Sequence, residues 1–119
     1  MASKQFAFPK SRRLTRPSEF EHVKANGRVE RGRLLLLSVL VRNEAGFRAG
    51  FITPRALGPA VSRNRTRRRL REIVRKHQHE VLGGRWIVTI ARVNAAKADY
   101  EQLEAEWLRL AGRASILSA

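Results

Sequence analysis

The spacing of apolar positions changes along the chain, and each change marks an element. Residues 1–16 show no period and carry Pro9, which predicts an extended arm that orders only partly without a partner. Pro17-Ser18-Glu19-Phe20-Glu21 reads as a helix start, with proline in the first turn and Ser18 with Glu21 as a capping box. Phe20 and Val23 share a face of this short helix, and Asn26-Gly27 stops it. The apolar run Leu34–Val41 fits helix or strand by period alone. The turn-rich Arg42–Gly46 after it, with β-branched Val39, Val41, Ile52 and Thr53, predicts two strands joined as a hairpin, the second ending at Thr53-Pro54.

Gly58-Pro59 opens a long helix from Ala60 to about Leu82, ended by Gly83-Gly84. At about 100° per residue, Leu70, Ile73, Val74, His77 and Val81 fall in one stripe, and Asn64, Arg68, Arg71 and Arg75 fall on the opposite side. Trp86–Ala91 is apolar on both faces and predicts a central strand. Asp99 with Gln102 caps a last helix whose apolar face is Tyr100, Leu103, Trp107 and Leu110; Trp86 and Trp107 are core candidates. The order αββαβα, without internal repeats, predicts an α/β (α+β) sandwich: a single, mostly antiparallel sheet of about four strands covered by three helices, with room for one extra short strand. Residues 17–112 form the domain, residues 1–16 the basic arm and residues 113–119 a tail.

Composition narrows the function. A chain of 119 residues with 43% apolar positions supports one domain with its own core. No cysteine is present, which excludes disulfide scaffolds, zinc ribbons, Fe–S clusters and thiol catalysis. The longest apolar stretch is far short of the ~20 residues needed to cross a bilayer, and no signal peptide is apparent. The expectation is a cytoplasmic protein with neither a membrane partner nor a small-molecule substrate.

Charge decides the partner. The net charge is +15, and it is segregated. Arg55–Lys76 holds nine basic residues and one acid, Glu72, and residues 1–16 hold five basic residues and no acid. From Val93 onward acids outnumber bases four to three. Such asymmetry predicts a polyanion-binding face, and the preference for Arg over Lys suits phosphate oxygens and base stacking. Arginines 63, 65, 67, 68, 69 and 71 surround the first turns of the long helix, where unpaired amides and the dipole already favour anions. A solvated basic helix face would alternate sign to form i,i+4 pairs, and here only Glu72 offers a partner.

Catalytic groups are scarce. A metal-dependent nuclease needs converging carboxylates, yet the single Asp is at a helix cap and the Glu residues are scattered or grouped on the solvated face of the last helix. His77 and His79, two apart on a helix, point about 200° apart, and His22 lies elsewhere. The protein is expected to bind without cutting, so no catalytic or metal-ligating residue is assigned.

At Ala60-Val-Ser-Arg-Asn-Arg-Thr-Arg-Arg-Arg-Leu-Arg-Glu72 the sequence resembles the protein component of bacterial ribonuclease P, through the signature Arg63-Asn64-Arg65 preceded by RAGFITPRALGPAV over residues 48–61. RLTRPSEFEHVKANG over residues 13–27 is similar to the family's opening helix and WIVTIAR over residues 86–92 to its later strand. The resemblance implies a ribonucleoprotein in which a catalytic RNA subunit, using Mg²⁺, removes the 5′ leader of precursor tRNA. It also implies a left-handed βαβ crossover, against the usual ~98% preference.

Carried over by position, Arg63, Asn64, Arg65, Arg67, Arg68 and Arg71 match the signature that contacts the catalytic RNA. Phe20 matches an aromatic of the cleft for the single-stranded leader, where a base could stack, and Arg55 matches a basic loop position. Arg12, Arg13, Lys24 and Arg75 complete the candidate RNA-binding set. Lys24 and Ser38 stand where family members often place cleft aromatics, which implies weaker stacking, and Ala56 replaces a second basic residue beside Arg55. A ribosomal-type structural RNA-binding protein explains charge, size and arm but not this signature. A DNA-binding architectural protein would need a dimer or groove-reading element, which the sequence lacks.

Overall fold

Four strands make one sheet in the order β1-β2-β4-β3 in the computed structural model, which describes residues 8–118. They are β1 (Arg28–Arg31), β2 (Leu35–Val41), β3 (Phe47–Ile52) and β4 (Arg85–Ala91). The helices are α1 (Pro17–Asn26), α2 (Ala60–Lys76) and α3 (Tyr100–Arg113). β4 is central as its two apolar faces predict: it runs antiparallel to β2 and parallel to β3.

That position overturns the expected β2–β3 hairpin. The two strands flank β4, and residues 42–46 bridge its start across two strand spacings, about 10 Å. Gly84 fastens the bridge: its carbonyl accepts from Arg42 N at 2.7 Å and its amide donates to Gly46 O at 2.9 Å. Its φ of 72° favours glycine. The Gly83-Gly84 pair therefore serves this crossing rather than a helix stop. The true hairpin is β1–β2, with Val29 opposite Ser38. β1 is the extra short strand, and its mostly exposed residues explain its faint apolar pattern.

Strand alternation sorts the core into two layers. Leu35, Leu37, Val39, Phe47, Ala49 and Ile87 pack with Leu70, Ile73 and Val74 of α2 and Leu103, Trp107 and Leu110 of α3. Trp107 is fully buried, and its indole N–H donates to Thr89 Oγ1 at 3.1 Å. On the other face, Val23 of α1 packs with Leu14, Trp86 and Val88.

Helix ends differ from expectation where tertiary contacts intervene. α1 is closed by Glu19, whose Oε1 accepts from Thr15 N and Arg16 N at 3.0 and 2.9 Å, not by Ser18 and Glu21. Burial alone would raise the Glu19 carboxyl, but these amides and the charges of Arg48 and Arg16 outweigh it and hold the group below its ordinary value. The Asp99–Gln102 box of α3 forms in both directions. α2 ends at Lys76, six residues before the expected Leu82, because the chain turns into a 3-10 segment (Gln78–Glu80) that buries Gln78, and Val81 then bridges Leu117. His77, at that turn, bonds Glu80 at 2.6 Å and Glu104 at 2.8 Å.

The expected arm and tail are also packed where they are described. Residues 1–7 lie outside the described residues. Phe8 and Leu14 are buried, Phe8 meets Phe47 at 6.3 Å between ring centroids, and Leu14 N donates to Ala49 O at 2.9 Å beside β3. Ile116 is fully buried, so the tail closes the α2–α3 layer. Among the described residues no helix is long and apolar enough to cross a membrane.

Candidate RNA interface

α2 buries Thr66, Leu70, Ile73 and Val74, and this stripe turns the arginines outward. Arg65, Arg68 and Arg71 are exposed and make no hydrogen bond or ion pair with the described residues, and Arg55, in a 3-10 turn (Arg55–Leu57) just before α2, behaves likewise. Arg67 is fixed: its guanidinium donates to Thr53 Oγ1 at 2.5 Å and to Asn64 Oδ1 at 3.0 Å. Arg63 is half-buried, with its Nε sealed and unpartnered. Arg69 is committed to structure, donating to Ala98 O at 3.0 Å.

The acids gather at the opposite end of α2. Lys76 pairs with Glu104 at 3.0 Å, and His77 sits between Glu80 and Glu104. Burial alone would lower the His77 imidazole, but its hydrogen bonds to both carboxylates outweigh it and raise it. Hydrogen bonds from His77 and Lys76 hold Glu104 below its ordinary value. Arg75 is hydrogen-bonded to Glu72, which lowers the Glu72 carboxyl. Arg75 is thus drawn into an i,i+3 pair. The uncompensated charge of α2 lies in its N-terminal two-thirds.

Beside this face a hollow of ≈ 180 Å³ opens between α1, β3 and α2, lined by Arg13, Thr15, Phe20, Gly50, Phe51, Arg67 and Arg71 among others. Phe20 is half-buried, its ring lying so close to β3 that a Cβ at position 50 would meet its Cε1 at 2.4 Å. Glycine at that position lets the ring lie against the strand while its rim stays open to the hollow. Arg13 donates twice to Phe8 O, at 3.2 and 3.0 Å. Arg67 and Arg71 also line the shallower hollow shared with Asn64 and Arg68, so arginine face and cleft form one surface.

Some candidates lie apart. Arg12 stacks over Phe47 at 4.8 Å. Lys24 is exposed on α1 and pairs loosely with Glu21 at 4.0 Å. Ser38, expected at a cleft position, is 1% exposed beneath the end of α1 and donates to Val23 O at 3.3 Å, so no base reaches it. Trp86 is buried under Arg42 and Arg48, whose guanidinium carbons lie 4.4 and 5.8 Å from its ring centroid. That stack, like Thr15, Gly50 and Phe51 in the cleft, has no signature in the sequence, since only the fold brings these residues together.

A family model, Ribonuclease P, matches residues 8–115. The ribonuclease P protein component of Roseiflexus sp. (strain RS-1) is 39% identical over 108 residues, covering 90% of this chain and 88% of that protein. That of Acidothermus cellulolyticus is 41% identical over 107 residues, covering 88% and 89%. The Staphylococcus aureus RNase P protein superposes with a TM-score of 0.84 at 24% identity, over 92% of this chain and all of that one. The Thermotoga maritima RNase P protein gives 0.78 at 24% identity, over 85% and 96%.

Proposed function

The chain belongs to the ribonuclease P protein family, and from that premise we propose that its arginine face and its cleft serve two different RNAs. As a ribonuclease P protein component, it is the protein subunit of a ribonucleoprotein enzyme and has the ribonuclease P RNA as partner. Asn64, Arg65, Arg68 and Arg71 face that RNA, and the cleft takes the 5′ leader of precursor tRNA, with a base against Phe20 and leader phosphates on Arg67 and Arg71. With Lys24 outside the lining of the hollow and Ser38 covered, Phe20 and Phe51 are the aromatics left to the cleft, where the resemblance implies more. The grip on the leader is then chiefly electrostatic and tolerant of sequence. Substrate and partner place this work in the cytoplasm.

In this reading hydrolysis belongs to the RNA. Among the described residues no group of three acidic, His or Cys side chains is arranged to hold a metal ion; following the resemblance, the Mg²⁺ of the reaction is assigned to the RNA subunit and no protein ligand is named. His77, where an imidazole meets carboxylates, is engaged with both Glu80 and Glu104 at the far end of α2. The observation that carries the proposal is the continuity of guanidinium groups from the α2 face into an aromatic-floored cleft, through Arg71, which is unpaired, and Arg67, which is held in place by Thr53 and Asn64. The test is reconstitution: the purified protein leaves precursor tRNA intact, and adding the cognate RNA at low Mg²⁺ yields 5′ cleavage. Cleavage by the protein alone would overturn the division of labour.

A further inference from the structure

A second hollow, of ≈ 290 Å³, lies on the other flank of α2, and the reading above gives it no role. Its floor is Leu34 and Ala98, and its rim is Arg33, Asn94, Lys97 and Gln102. Arg33 and Lys97 are exposed and make no hydrogen bond or ion pair with the described residues, and no acid lines the hollow.

The backbone carrying these cations is anchored. Arg69 of α2 donates to Ala98 O at 3.0 Å, tying the Lys97 segment to the helix. Arg92 donates to Gly32 O at 3.0 Å, and buried Glu106 accepts from Leu34 N and Leu35 N at 2.5 and 2.8 Å, fixing the turn that presents Arg33. Arg65, one helical turn before Arg69, extends the same flank and is equally unpaired.

We propose that this flank is a second docking surface for the ribonuclease P RNA, so that α2 lies between two phosphate tracks: Arg68 and Arg71 on one side, Arg65, Lys97 and Arg33 on the other. The inference rests on the reading that α2 faces that RNA. The lining separates folded RNA from a single strand. The leader cleft contains Phe20 and Phe51, as unstacked bases require, whereas this hollow has cations and no aromatic ring. Cations without a stacking partner suit the phosphates of a helical region, recognised by shape and backbone.

The test uses the full-length protein, the cognate RNA and precursor tRNAs with and without a leader. The Arg33→Ala/Lys97→Ala double variant is expected to lower the magnitude of the log–log salt slope for RNA binding by about 1.4 to 1.8, two contacts at about 0.7 to 0.9 each. The Arg33→Lys/Lys97→Arg variant should restore the slope. Holoenzyme saturated with the double variant should keep its full preference for leader-bearing substrate. An unchanged slope overturns the second track. A deficit confined to leader-bearing substrate overturns it too, because the flank would then serve the substrate. If Arg68→Ala/Arg71→Ala weakens RNA binding while the Arg33/Lys97 variant does not, only this inference fails. If the wild-type protein does not bind the RNA, both readings fall.

Discussion

Single residues divide into those whose role is local and those whose role only the fold creates. Phe20 is an example of the first kind: an aromatic on a short helix, half-open to the cleft. Phe20→Leu keeps an apolar contact with Gly50 and removes the stacking surface. We expect it to reduce the affinity gained from the leader by about 1 to 3 kcal/mol, measured as the difference in Kd between leader-bearing and leaderless precursor tRNA. Glu106 is of the second kind. By sequence it joins the solvated acids of the last helix, yet it is 8% exposed and holds the Leu34 and Leu35 amides while its other oxygen takes Arg109 at 2.8 Å. Glu106→Ala strands those amides, which costs about 1 to 3 kcal/mol for each group left without a partner. Chemical denaturation should show a lower midpoint with an unchanged m-value. Nothing in the spacing around Glu106 foretells this role, because the amides it holds lie more than 70 residues away.

At the scale of elements, legibility follows the range of the interactions. α1, α3 and β4 are set by neighbours in sequence, through a proline start, an Asp99–Gln102 box and a doubly apolar run, and all three form close to the expected bounds. The β2–β3 pairing fails because adjacency in a sheet is decided by where the most apolar strand is buried. The early end of α2 has the same origin: His77 is captured by Glu104 of α3. This joint should titrate. His77 has a raised pKa, so its contribution is complete below the ordinary value of 6.5 and is lost as pH rises through the folded value. Glu104 has a lowered one, so its contribution is present above 4.5 and is lost as pH falls through the folded value. The Tm difference between wild type and His77→Ala should therefore be greatest between pH 4.5 and 6.5 and shrink in the alkaline range. A constant difference across pH would show that His77 acts through packing alone.

Across the whole molecule, the asymmetry of charge seen in the sequence becomes an asymmetry of surface. The acids neutralise the C-terminal end of α2, and its N-terminal two-thirds are left to an external anion. Arg68→Ala/Arg71→Ala should flatten the salt dependence of RNA binding by about 0.7 to 0.9 per lost contact and leave thermal stability unchanged. Arg67→Ala should lower stability as well, since it also releases Thr53 and Asn64. The place of β4 carries a further consequence, for synthesis on the ribosome. While the nascent chain is shorter than about 85 residues, β2 and β3 have been made but the strand that separates them has not, so an empty slot stands between two unsatisfied edges. The sheet closes only when the last third of the polypeptide emerges, and Ile116 seals the core later still. Translation that stalls within α2 should therefore yield fragments that seek strands from other molecules, whereas a pause after release of the C-terminus should be harmless.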